Sequence, residues 1–182
     1  MSPTSYLDCY SNLIWLHRGG APCRILCVAQ DPTRLAEALG RWSSDVLAVT
    51  EAECDARMDE LRARGPFDVI LLASDRAPQL MAGLAGALGS SGRVYAVVQR
   101  VNRAATRAAS EEAGLGVRQR YGVAPSVDQP FYVVPDDAGT TRAYLSIRAP
   151  RRRVRATLQR IALHLGWRPG DSEGTLFVLE ST

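Results

Sequence analysis

The sequence contains no lysine: all 22 of its basic residues are Arg. No Walker-type lysine can therefore reach a nucleotide phosphate, and no lysine Schiff base can form with pyridoxal phosphate or a carbonyl substrate. Lysine general bases are excluded with them. Histidine is nearly missing too, with only His17 and His164, far apart. The four cysteines (Cys9, Cys23, Cys27, Cys54) contain no CxxC pair, and no second Cys or His pair stands at zinc spacing. The sequence thus predicts no metal site and, in a reducing compartment, no disulfide. Long apolar runs are lacking. Residues 69–73 form one of the longest, well short of the roughly 20 residues a membrane-spanning helix needs. The first residues carry Asp8 and no basic region, so no secretory signal is expected and the predicted location is cytoplasmic.

What remains is an ordinary globular composition. The chain has 182 residues, 46% hydrophobic and 23% charged, which predicts one soluble domain spanning 1–182. Within it the pattern separates an N-terminal helix (1–22), a core (23–135) and a basic C-terminal part (136–182) with one helix and a final strand.

The core has a regular rhythm. Residues 24–29 and 45–49 are short, apolar and bounded by turn residues, as strands buried on both faces of a parallel sheet are. Residues 67–73, Phe-Asp-Val-Ile-Leu-Leu-Ala, form the clearest strand, and 93–98 the next. Between them the spacing predicts helices. One starts at Asp31-Pro32, read as an N-cap with proline in the first turn. Others cover 51–64, with Met58 and Leu61 inward, then 78–88 and 101–113. Gly89-Ser90-Ser91-Gly92 reads as a turn. After Gly116 the rhythm gives way to looser strands at 117–123 and 131–134, then a helix at 150–165 and a strand at 175–179. The predicted fold class is α/β: a three-layer, Rossmann-like, mostly parallel sheet with antiparallel C-terminal strands. Ligands in such folds gather at the carboxyl ends of the strands. Those positions are Ala29 to Asp31, Thr50-Glu51, Ala73 to Asp75 and Gln99 to Asn102.

The charge is uneven. Residues 1–135 hold 14 Arg and 14 acidic residues, whereas 136–182 hold 8 Arg against 5 acids, and six of those arginines fall in 148–160. On a helix Val154, Leu158, Ile161 and Leu165 share one face. Arg151, Arg152, Arg155 and Arg160 lie mainly elsewhere, either as a solvated face or as an interaction surface for an acidic protein partner. Sequence-specific nucleic-acid binding is not expected, because the whole chain is only +3 and no aromatics interleave the basic run.

The Phe67–Leu72 run, the following helix and the stretch Leu88-Gly89-Ser90-Ser91-Gly92-Arg93-Val94-Tyr95-Ala96-Val97-Val98 together resemble the middle of class I S-adenosylmethionine-dependent methyltransferases. Glu111-Glu112-Ala113-Gly114-Leu115 is similar to that family's helix end before an antiparallel pair. Arg120–Ser126, Pro130 and Val133–Pro135 are similar to a segment of methyltransferase-like proteins in bacterial glycan and secondary-metabolite pathways. The resemblance covers residues 22–135. It implies that Ala29, Gln30, Asp31, Glu51, Ser74 and Asp75 would line a cofactor pocket for S-adenosylmethionine, with Glu51 on the ribose. Asn102 and Tyr121 would meet a small-molecule substrate.

The departures weigh against that chemistry. The family's loop after the first strand is glycine-rich, so that backbone can approach the ligand. Here it reads Val28-Ala29-Gln30-Asp31-Pro32-Thr33, with no glycine. The preferred expectation is a pseudoenzyme without cofactor, an accessory or tailoring protein of a bacterial biosynthetic pathway, open to homodimer formation. The alternative is an active small-molecule methyltransferase, a transferase with an atypical cofactor loop. Each candidate also has a plainer reading: Glu51 and Asp75 as helix caps, Tyr121 as an amphipathic strand residue, Asn102 as a loop or cap residue. A response-regulator receiver is also similar over residues 25–73. Its phosphoacceptor position is Ala73 here and its lysine is missing, so an active receiver is rejected.

Overall fold

The computed structural model describes Tyr10, Ile14 and residues 23–125, 130–136 and 174–181. The strands are β1 (Arg24–Ala29), β2 (Asp45–Val49), β3 (Phe67–Ala73), β4 (Leu88–Gln99), β5 (Leu115–Pro125), β6 (Pro130–Pro135) and β7 (Gly174–Ser181). The helices are α1 (Pro32–Leu39), α2 (Glu51–Ala56), α3 (Met58–Arg64), α4 (Ala77–Leu84) and α5 (Arg103–Glu112). They build one seven-stranded sheet in the order β2-β1-β3-β4-β7-β5-β6. The first four strands run parallel. β7 is antiparallel to both β4 and β5, and β6 is antiparallel to β5. The mixed sheet expected from the strand rhythm is therefore present.

The middles of the central strands are apolar because both their faces are covered. One face packs Leu26, Val28, Ile70, Leu72, Val94 and Phe177 beneath Cys54, Leu61 and Leu80 of the α2, α3 and α4 helices. The other packs Ile25, Cys27, Val69, Leu71, Tyr95 and Val178 beneath Leu35 and Leu39 of α1, with Tyr10 and Ile14. Each fully buried Leu or Ile contributes about 1.5–3 kcal/mol relative to exposure, so β1 and β3 set the fold.

Three local expectations are corrected. The stretch Gly89–Gly92 is not a turn before a strand but a bulge inside β4. Phe67 pairs with Leu88 and Val69 with Arg93, which sets residues 89–92 opposite Asp68 alone. Glycine is required there, since a Cβ on Gly92 would lie 2.9 Å from the Phe67 carbonyl oxygen. The helix before it stops at Leu84 and tightens to a 3₁₀ turn over Ala85–Ala87. The single helix expected over 51–64 is two helices, broken at Arg57 (φ −119°, ψ 22°). The N-terminal helix apart from Tyr10 and Ile14, the 150–165 helix and its Arg151, Arg152, Arg155 and Arg160 lie outside the described residues.

Candidate functional site

The strand order turns at β1. From β1 the chain steps outward to β2, then returns across β1 to β3 on its other side. The crevice at such a switch, outside the carboxyl ends of the strands, is where ligands settle in open α/β sheets. The register levels those ends: Val28 pairs with Val49, Ala29 with Ala73, and Ala73 with Val97. The structure thus brings Ala29, Gln30, Asp31, Glu51, Ser74, Asp75 and Asn102 to one rim.

The β1–α1 connection is only two residues, Gln30 and Asp31, both exposed, and α1 starts at Pro32. Asp31 occupies the N-cap position but makes no side-chain cap hydrogen bond, contrary to the capping expected of it. Ala29 is buried within the sheet. Among the described residues the one backbone with positive φ is Gly114, at 68° and away from this rim.

At the next strand end Thr50, not Glu51, caps the helix. Its Oγ1 accepts from the Glu53 N–H at 3.2 Å, while Glu53 Oε2 accepts the Thr50 N–H at 2.7 Å. This is a reciprocal capping box. The Thr50 N–H, and after it the Thr50 hydroxyl, hold the Glu53 carboxyl below its ordinary value. Glu51 is thereby free of capping. It is half-buried, and its Oε1 is buried without a hydrogen-bond partner.

After β3, Ser74 is 5% exposed, and its Oγ accepts from the Arg76 N–H at 2.9 Å. Asp75 does not cap α4, whose N-cap position is Arg76. It is instead a tie point between loops. Its Oδ2 accepts from Gln99 Nε2 at 3.3 Å and its carbonyl from Asn102 Nδ2 at 3.1 Å. Asn102 holds the N-cap position of α5 without a side-chain cap bond. Its carbonyl accepts from the Thr106 hydroxyl at 2.7 Å. Arg76 reaches sideways to Asp55 on α2 at 2.6 Å. Its guanidinium is held further in the charged form by that Asp55 hydrogen bond, then by the Asp55 charge, with a smaller contribution from Glu51. The rim after β2, β3 and β4 is therefore one connected polar chain. Asp55 and Arg76 escaped the sequence reading because no periodicity marks a pair 21 residues apart.

Tyr121 lies in the apolar cluster with Tyr95, Val97 and Leu176, at 5% exposure, and burial pushes its phenol above the usual value. A separate open cavity of ≈ 760 Å³ lies between α5 and β5, floored by Leu115, Val117 and Phe177. Its arginines are met by acids: Arg107 by Glu111, Arg120 by Asp136 and Arg118 by Glu180. Among the described residues no three His, Cys, Asp or Glu side chains are grouped to hold a metal.

Solved structures share this topology. A TehB-like S-adenosylmethionine-dependent methyltransferase from Corynebacterium glutamicum matches with a TM-score of 0.51 at 18% identity, over 97% of this chain and 88% of that one. The CcbJ methyltransferase from Streptomyces caelestis also matches with a TM-score of 0.51, at 9% identity over 96% and 90%. The fold is that of the class I S-adenosylmethionine-dependent methyltransferases. No family model matches the chain, and no curated protein matches its sequence. The methyltransferase fold here includes no described helix long and apolar enough to cross a membrane.

Proposed function

We propose that this methyltransferase-like chain is an accessory protein of a bacterial biosynthetic pathway, acting through binding or interaction without transferring a methyl group. The observation that carries the reading is the two-residue β1–α1 connection. A sulfonium nucleoside must lie against backbone at this position, which needs a longer loop and residues without Cβ atoms. Here Gln30 and Asp31 put side chains there, and Pro32 removes a backbone donor. The residues of β1 and its loop do not fit the cofactor, so no reaction step is routed through it. The Arg151, Arg152, Arg155 and Arg160 run in the sequence is the contact we assign to an acidic protein partner.

One observation favours the second reading, an active small-molecule methyltransferase. Glu51 stands at the end of β2 with a buried, unpartnered carboxylate oxygen. Such a group in a crevice is an acceptor awaiting a donor, and a ribose hydroxyl would supply one. Transfer itself would then need mainly alignment of the acceptor.

Calorimetric titration with S-adenosylmethionine and S-adenosylhomocysteine separates the two. The proposal expects no heat of binding to either compound. Micromolar binding that weakens at least tenfold in Glu51→Ala would replace it with the enzyme.

A further inference from the structure

The cavity between α5 and β5 lies at the end of the sheet away from the rim. Gln99, at the carboxyl end of β4, stands level with Gly174 of β7 and so with Val123 of β5. Arg93 stands level with Glu180 and so with Gly116. The cavity is lined by residues 114–120, at the start of β5, and by the last turns of α5. Its volume of ≈ 760 Å³ is that of a small-molecule site.

A bulge shapes it. In a regular strand Leu115 and Tyr121, six residues apart, would stand on one face. Here they lie in opposite cores, Leu115 with Phe177 and Leu179, Tyr121 with Leu176 and Val178. The switch is at Arg118. Val117 pairs with Leu179 and Gln119 with Val178, consecutive residues of β7, so Arg118 is the extra residue. Arg120 is thereby turned onto the α5 side, opposite Phe177, where a regular strand would have put Tyr121.

The result is an apolar floor edged by guanidinium groups. Leu115 and Phe177 are buried in it, while Val117 is a large apolar side chain 45% exposed. Arg120 meets Asp136 through Nε at 2.5 Å, and Arg107 of α5 meets Glu111 through Nε at 3.0 Å. Among the described residues no hydrogen bond takes up the terminal nitrogens of either arginine. Each ion pair fixes the inner nitrogen and leaves the forked end, whose two parallel N–H groups match a carboxylate. Glu111 and Asp136 line the same cavity, and Glu180 holds Arg118 beside it. These carboxylates would repel a phosphate dianion more strongly than a singly charged head.

We infer that this cavity binds a small amphipathic carboxylate, its apolar body over Leu115, Val117 and Phe177 and its head in the fork of Arg120, with Arg107 nearby on α5. The site is separate from the rim, and the inference stands whether or not the rim binds a nucleoside.

Decanoate below its micelle concentration is the probe, beside decanol, which is the body without the charge, and acetate, which is the head without the body. Amide chemical shifts locate the binding. Decanoate should saturate, with the largest shifts in residues 114–120 and at Phe177, and none at Gln30 or Glu51. Decanol and acetate should bind at least tenfold more weakly. Arg120→Gln should weaken decanoate at least tenfold, and Arg120→Lys should restore only part of the loss, since it returns the charge without the fork. Arg120→Gln also removes the ion pair to Asp136. Val117→Glu, at an exposed position, leaves that pair intact and should weaken decanoate by at least as much. No saturable binding, or shifts centred on the rim, overturns the inference. So does decanol binding as tightly as decanoate, or decanoate binding that folded Val117→Glu leaves unchanged.

Discussion

Asp55 and Arg76 meet through a 2.6 Å ion pair that fastens α2 to the loop following β3. Together with the Gln99 and Asn102 hydrogen bonds onto Asp75, it makes three loops of the rim a single mechanical unit. Both side chains are nearly half exposed, at 46% and 45%, so the pair is a fastening more than a source of stability. A double-mutant cycle on Asp55→Ala and Arg76→Ala should return a coupling of about 0.2–1 kcal/mol that fades in high salt. Amide exchange in residues 74–76 should accelerate in either single variant.

Thr50→Ala should lower stability by about 1 kcal/mol, as loss of an N-cap does, and Thr50→Ser should be close to neutral. Asp31→Ala is the contrasting case. It occupies the equivalent position before α1 but makes no cap hydrogen bond, so its replacement should shift the thermal midpoint less than Thr50→Ala does.

The β4 bulge makes a prediction about a single added methyl. Gly92→Ala places a Cβ against the Phe67 carbonyl and should destabilise by about 1–3 kcal/mol, the range for overpacking. A Cβ on Gly86 meets nothing within 4 Å. Gly86→Ala should therefore be neutral or slightly stabilising through the unfolded chain. Chemical denaturation of the two variants side by side checks the difference.

Alkaline stability should be governed partly by Cys27. Burial pushes its thiol from 9.0 up to about 12, and Cys54 is raised to about 11, also chiefly by burial. The folded state keeps these protons where the unfolded chain releases them. Their contribution is full below pH 9 and is lost as pH rises toward the folded values. Each such group steepens the fall by about 1.4 kcal/mol per pH unit within that window. Cys27→Ala should flatten the stability–pH slope above pH 9 measured by urea titration, whatever its effect at neutral pH. Neither thiol should react with iodoacetamide at neutral pH until the protein unfolds.

Strands β1, β2 and β3 are legible to the residue, because each is a short, mostly apolar run and the turn residues beside it mark where it ends. The β4 start was misread because Gly89–Gly92 carries the composition of a turn, and only the Phe67 and Val69 pairing reveals a bulge. The break at Arg57 left no signal, since Cys54, Met58 and Leu61 keep helical spacing across it. At the rim, the strand ends told which residues come to lie side by side. The division of labour within it, with Thr50 capping, Glu51 unpartnered and Asp75 tying loops, depends on side-chain directions that spacing does not encode. The link from Asp55 to Arg76 arises only when α2 and the β3 loop come together.

Strand β7 separates β4 from β5, pairing Arg93 with Glu180 on one side and Leu115 with Ser181 on the other. During synthesis it is the last of the seven to leave the ribosome. Until then the parallel block and the β5–β6 hairpin cannot be joined through it, and each presents a raw border to the crowded cell. Assembly of the nascent chain is in this sense a zipper closed by its final tooth. Premature termination before Gly174 would yield two unfinished pieces instead of a shortened protein.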